Sequence, residues 1–398
     1  MSNNSISSRV RRNIPLLSQT LQGQLSPRYR GVYVRVPCRT HPEDLCLDLL
    51  GQLGLSVLYL HIHANSGRDA QSHYIHLRLD ETCARQWAPG FDTLQLQRAL
   101  GQVLPQASLA SETLVALLLG PMPYEFPSLD ELISAIRIRM HIVQAAQATS
   151  LAFHTKEAER PEAFWTYKKG SGFVIRNGVS LVEALTHATQ PDVSGSTYAF
   201  SCYRATEYVC LLGIAQELEH CHPEMYQNLQ QLWSHRPIMS GEFHDVFLRE
   251  LGSIEYPLPS KYFVPGDRVW FRNPHEPSAD VEGFEGSWLM YLGNGLFNNF
   301  WNCSKPYNFT QKCVEIFHWR HGICQDRHGE AHMDEQKIVP LIQASLNHPE
   351  ELQHIMNIMA RYREPRGVYT DAGGCIDTSR EFSRWVRPGT ADLVLPKA

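Results

Sequence analysis

The chain of 398 residues lacks any apolar run long enough to cross a bilayer. Its longest stretches, Leu114 to Leu119 and Val209 to Ala215, fall far short of the roughly 20 residues that a spanning helix needs, so no membrane partner is expected. Basic charge is not in excess either: 36 Lys and Arg against 41 Asp and Glu leave a formal net charge of −5, which gives nucleic acid or an anionic membrane no footing. Residues 1 to 12 have no apolar h-region, which argues against ordinary Sec export and for a cytoplasmic protein; a polar leader read by a specialised secretion system stays open. The ten cysteines include no pair at C-x-x-C spacing and no regular framework, so free thiols in a reducing compartment are expected. There is no internal repeat and no low-complexity tract, and no cofactor is expected.

The sequence does have enough apolar residues, 43%, for substantial cores, and its length suggests two or three domains. Residues 1–27 read as a flexible polar leader. From there to about residue 110 the pattern is a small α+β unit of unknown role. Val32 to Val36 alternates like a strand, Glu43 to Leu53 has helical spacing, Ser56 to His63 and His73 to Leu79 read as two strands, and Leu94 to Val103 reads as a helix. A larger domain is expected over 111–365. In it Leu129, Leu132, Ile133, Ile136, Met140 and Val143 form one apolar stripe, and Ser128 with Glu131 makes a capping box at its start. Phe263 to Phe271 and Trp288 to Leu292 read as strands, and Asn294-Gly295 as a hairpin turn. Helices are expected over Ile338 to Leu346 and Glu350 to Tyr362, with a partly ordered tail over 366–398.

The chemistry is best placed at Cys202. It stands at the start of an apolar helical run in which Ala205, Val209, Leu212 and Ile214 or Ala215 point inward and Glu217, Glu219 and His220 mark a wetter end. A thiol there meets the unpaired N–H groups and positive dipole end of a helix, which favour thiolate and can hold a developing oxyanion. That suits acyl transfer through a thioester. The plainer alternative is that Cys202 is a small core residue like Cys210.

Three collinear stretches carry a resemblance. They are Ser128 to Val143 followed by Phe164-Trp165 and Gly172-Phe173; Tyr198-Ala199-Phe200-Ser201-Cys202; and Phe263-Val264-Pro265-Gly266-Asp267-Arg268-Val269-Trp270-Phe271-Arg272-Asn273-Pro274, leading to Phe284-Glu285-Gly286-Ser287-Trp288. Over roughly residues 115 to 300 the chain resembles the small bacterial protein-glutamine γ-glutamyltransferases, the calcium-independent transglutaminases of spore-forming bacteria. The resemblance implies a papain-like core, in which a helix carrying the nucleophilic cysteine packs on an antiparallel sheet carrying its partners. It implies that Cys202 attacks the γ-carboxamide of a glutamine, releases ammonia and passes the acyl group to a primary amine. Substrates would be proteins or peptides with accessible Gln and Lys.

The family places a glutamate before the cysteine and a second one after the glycine of a Trp-x-Gly segment. In this chain Ser201 and Ser287 occupy those places, and Glu285, two residues earlier, or Glu282 stands near the second. A His-Gly pair of the family aligns with Phe297-Asn298-Asn299-Phe300, while His321-Gly322 and His318 follow some twenty residues on. The candidate catalytic residues are therefore Cys202, Glu285, His321 and His318, with Ser201, Ser287, Phe284 and Trp288 lining the site and Trp270 a further wall. Ser201 also suits an N-cap.

Two histidine groups offer metal binding as an alternative: His61 and His63 with His73 and His76, and His318, His321, His328 and His332 near Cys313 and Cys324. Neither has an established zinc spacing, and no metal is expected. Other readings of the chain are a glutamine deamidase, a related cysteine acyltransferase of biosynthetic or effector type using His318 or His321, and an inactive binding protein of the same fold.

Overall fold

The alternation at Val32 to Val36 becomes strand β1 (Val32–Pro37), with Val32, Val34 and Val36 buried and Arg35 exposed. The computed structural model describes residues 30–37, 42–53, 55, 60–66, 72–104, 107–152, 157–237, 239–364 and 373–396; the leader expected over residues 1–27 lies outside them. Helix α1 (Pro42–Gln52) follows, and then β2 (Leu60–Ser66) and β3 (Ser72–Leu79). β3 pairs antiparallel with both β1 and β2, and β4 (Tyr124–Phe126) adds to the other side of β1 in parallel.

Packing does not break near residue 110. Helix α2 (Leu109–Leu118) is buried against this sheet in a core that also takes Leu132, Ile136, Leu258, Tyr262 and Val264. β4 has only three residues, too few for alternation to show, and it comes from the sequence beyond the expected boundary.

Helix α3 (Leu129–Ala148) starts where its cap requires: the Ser128 hydroxyl accepts the Glu131 backbone N–H at 3.1 Å. The Glu131 side chain takes a tertiary role instead of the reciprocal half of a capping box. Its carboxylate accepts from the backbone N–H groups of Val386 and Arg387 at 3.2 and 2.6 Å and from the Thr390 hydroxyl at 2.8 Å. Helices α4 (Leu181–Thr189), α5 (Cys202–Cys221), α6 (Pro223–His235) and α7 (Ser240–Phe247) join α3 in a helical core. α3 and α5 approach closely at Gly213, where a Cβ would fall 2.6 Å from the Ile142 side chain. Glu217, expected at the wetter end of α5, is buried in this interface, where it accepts from the Ser134 hydroxyl at 2.6 Å.

The second sheet contains β5 (Leu248–Leu251), β6 (Arg268–Arg272), β7 (Gly286–Gly293), β8 (Leu296–Phe297), β9 (Tyr307–Asn308) and β10 (Arg380–Ser383). Their order is β9-β8-β7-β6-β10-β5, with every pair antiparallel. Met290 and Leu292 on β7 face the α5 core. Val269, Phe271, Leu289 and Tyr291 belong to a third core with α8 (Phe309–His318), α9 (Glu335–Asn347) and α10 (Pro349–Met359).

Two expectations are corrected here. The strand expected from Phe263 begins only at Arg268, because Val264 to Asp267 form a turn closed by the Asp267 N–H on the Val264 carbonyl. The tail supplies a strand inserted between β6 and β5. In that strand Arg380 is buried and donates to the Tyr262 and Asp377 carbonyls, while Glu381 pairs with Arg268. No helix among the described residues is long and apolar enough to cross a membrane.

Candidate active site

Ser201 is the N-cap of α5: its backbone is extended and its hydroxyl accepts the Arg204 N–H at 3.2 Å. Cys202 is thereby the first helical residue. The approach to it is held by backbone bonds, Ala152 N–H to the Tyr198 carbonyl at 3.1 Å and Glu159 N–H to the Ala199 carbonyl at 2.7 Å. The half-buried thiol meets the start of β7 through a hydrogen bond with the Trp288 backbone.

Burial pushes the Cys202 thiol above its ordinary value. The Trp288 backbone, the Lys312 ammonium and the Tyr203 backbone pull it down, and Glu285 pushes it further up. The helix start alone therefore does not offset the cost of burying a thiolate, and a base would have to take the proton for Cys202 to act as a nucleophile.

Glu285 lies exposed in the connection entering β7. Buried Asn273 holds this connection: its side-chain amide donates to the Phe284 carbonyl at 2.9 Å, and its backbone N–H donates to the Glu285 carbonyl at 3.0 Å. The Asn273 bonds thus fix the backbone at Glu285, and the Gly283 N–H donates to the Glu285 carboxylate at 3.4 Å. Ser287 is half-buried and pairs across the sheet with Phe271, and Glu282 is exposed.

Trp288 pairs with Trp270 and stacks on it at 5.9 Å, while the Tyr203 ring meets it edge-on at 5.3 Å. Buried Arg268 lies 3.9 Å from the Trp288 ring centroid and 4.7 Å from that of Tyr203. Its Nε donates to the Thr206 hydroxyl at 2.7 Å, and its ion-pair partner Glu381 also binds His244 at 3.1 Å. Arg268 therefore ties the first turns of α5 to β7 from below. Phe284 packs edge-on against Trp319 at 5.2 Å.

The two candidate histidines are placed differently. His318 is buried at the end of α8, where its Nε2 bonds the Ser345 hydroxyl of α9 at 2.7 Å. Burial, reinforced by His321, lowers its pKa. His321 is exposed, 5.4 Å from His318 ring to ring. The structure brings Trp288 and Ser201 to Cys202, leaves Glu285 exposed in the connection entering β7, and engages His318 with α9.

The histidine groups proposed for metal do not assemble: among the described residues no three His, Cys, Asp or Glu side chains could hold an ion together. His61 bonds Asp80 at 3.1 Å and His76 bonds the Arg30 carbonyl at 2.6 Å; the side chains of His63 and His73 lie outside the described residues.

Arg268 and Lys312 are the site neighbours that sequence reading missed. Lys312 did leave a signal, since it shares the inner helical stripe with Phe309, Ile316 and Trp319, where an unpaired lysine is costly.

The chain has no significant match among curated proteins. Among solved structures, "Transglutaminase from Geobacillus stearothermophilus (without C-terminal extension)" is 20% identical, with 55% of this chain and 98% of that chain covered and a TM-score of 0.35. The family model for protein-glutamine gamma-glutamyltransferase matches residues 92–394, from ahead of α2 to the C-terminal segment beyond β10. The match takes in Cys202 and every element of the second sheet, and on it the chain belongs to the protein-glutamine γ-glutamyltransferase family, acyltransferases of the transglutaminase type.

Proposed function

We propose that Cys202 is the nucleophile of a calcium-independent transglutaminase reaction and that Glu285 is its acid and base. The observation that carries this reading is the place of the thiol at the first residue of α5, beside the head of β7 where Tyr203 meets Trp288, with Glu285 in the connection that enters this strand. Glu285 takes the thiol proton as sulfur attacks the γ-carboxamide carbon of a glutamine, and the carbonyl electron pair moves onto oxygen. The free backbone N–H groups of the first turn of α5 receive the oxyanion. Glu285 then returns its proton to nitrogen, the C–N bond breaks, ammonia leaves and a thioester remains. A primary amine, such as a lysine side chain of a protein or peptide, attacks the thioester carbon. Glu285 takes the amine proton, the C–S bond breaks and the thiol is restored. Tyr203, Trp270 and Trp288 suit the aromatic wall that keeps water from competing.

The test is incorporation of a labelled primary amine into a glutamine-containing protein, with EDTA present, by wild type and Cys202→Ala. Incorporation by wild type that Cys202→Ala abolishes is the expected result. Ammonia release without incorporation would assign the chain to deamidation. Absence of both, with varied donors, would overturn the enzymatic reading.

A further inference from the structure

We propose that Arg268 is a positioning residue, a buried cation that fixes the Tyr203 and Trp288 rings beside Cys202 and so decides whether the acyl group goes to an amine or to water. The inference rests on the acyl-transfer reading of Cys202.

Charge and ring alternate along this part of the molecule. Arg363, just past α10, lies over the Trp270 ring at 5.7 Å, Trp270 stacks on Trp288 at 5.9 Å, and the Arg268 guanidinium lies over Trp288 at 3.9 Å and over Tyr203 at 4.7 Å. Tyr203 also meets Trp288 edge-on at 5.3 Å. The three aromatic residues are half-buried, so the row reaches the surface, whereas Arg268 is 2% exposed. Both rings that touch Arg268 belong to residues at the thiol: Tyr203 follows Cys202 in the chain, and Trp288 bonds it through its backbone.

Arg268 holds Tyr203 twice. Besides lying on its ring, it donates from Nε to the Thr206 hydroxyl at 2.7 Å, and that hydroxyl donates to the Tyr203 carbonyl at 2.7 Å. Nη1 meets Glu381, whose other oxygen binds His244 at 3.1 Å. Nη2 is buried with no hydrogen-bond partner among the described residues, so the rings supply what a further hydrogen bond would. A guanidinium suits this place because its plane can lie on aromatic faces while its edge donates to fixed acceptors, which an ammonium cannot do at once.

The consequence falls on the second half of the reaction. Ammonia has left by then, and the thioester carbon is open to an amine or to water. Attack by the amine gives an amide, attack by water gives a carboxylic acid, and either breaks the C–S bond and restores the thiol. Rings held against one another leave water little room, and rings free to swing admit it.

The test is the amount of labelled amine incorporated per ammonia released, at one amine concentration, by the full chain. This ratio does not depend on how much of a preparation is active. Arg268→Met should lower it roughly fivefold, the size expected from losing cation–π contacts in a desolvated site, and Arg268→Lys should restore part of it. A merely structural role would reduce ammonia release and incorporation together and leave the ratio as in wild type. An unchanged ratio in Arg268→Met, or a ratio in Arg268→Lys as low as that of Arg268→Met, would overturn the inference. If Arg268→Met does not fold, Thr206→Val decides in its place, since it removes the acceptor that joins Arg268 to the Tyr203 carbonyl: a lowered ratio supports the role and an unchanged one overturns it. Ammonia release by wild type without incorporation would overturn this inference alone. Wild type that releases no ammonia from varied glutamine donors would instead overturn the acyl-transfer reading, and this inference with it.

Discussion

Glu112 makes folding dependent on pH at the far end of the strand that meets Cys202. It projects from α2, 2% exposed, and accepts the Asn294 backbone N–H at 2.9 and 3.2 Å and the Tyr291 hydroxyl at 3.4 Å. Asn294 and Gly295, both at positive φ, turn β7 into β8, so a carboxyl group anchors this hairpin to the N-terminal core. Burial pushes that carboxyl from 4.5 to about 7, with Asn294 and Tyr291 pulling it partly back. The raised value means that the folded chain binds the proton more tightly than the unfolded one. The resulting stability is complete below the unfolded value and is lost as pH rises through about 7. At 1.36 kcal/mol per pH unit, the interval amounts to about 3 kcal/mol. Glutamine mimics the protonated acid and keeps an acceptor for Asn294. Urea unfolding of wild type and Glu112→Gln between about pH 5 and pH 8 should therefore show wild type losing about 2–3 kcal/mol relative to the variant. Glu125, also pushed up to about 7 by burial, acts in both proteins and cancels in the difference. A difference that stays constant with pH would refute the reasoning.

Two further outcomes follow from the site and its support. Glu285→Gln should lower the turnover number for amine incorporation by a factor on the order of 10²–10⁴ with little change in KM, since it removes proton transfer and leaves the pocket walls in place. Wild-type turnover in steady-state kinetics would remove Glu285 from the mechanism. Gly266→Ala should destabilise the fold by roughly 2 kcal/mol or more in urea unfolding, because φ is +85° and the added Cβ would fall 2.9 Å from Arg139 Cα. Gly266 lies where Arg139 and Asp267 form a buried ion pair at 2.8 Å, and unchanged stability would show that this turn yields.

Local signals were legible where one segment carries all the information. The stripe and Ser128 cap of α3, the Ser201 cap that puts Cys202 first in α5, and the Asn294-Gly295 turn each depend on residues within a few positions of one another. Charged residues were misread where the fold supplies the partner. Glu131 left its cap for Val386 and Arg387, more than 250 positions away, and Glu217 found Ser134 inside the α3–α5 interface. The strand at 380–383 was missed for the same reason, since Glu381 meets Arg268 and Arg380 reaches the Tyr262 carbonyl, both far away in the chain.

The sequence by itself determined the stripe and cap of α3, the Asn294-Gly295 turn and the place of Cys202 at the start of α5, because helical period, caps and turn chemistry act over one or two turns of chain. Only the tertiary structure decided which charges surround that residue. The Cys202 thiol is influenced by Glu285 from the entry to β7 and by Lys312 from α8, more than eighty positions away, while His318 is held by Ser345 of α9. Electrostatic influence depends on distance and burial in space, and those distances exist only once the helices and the antiparallel sheet have packed.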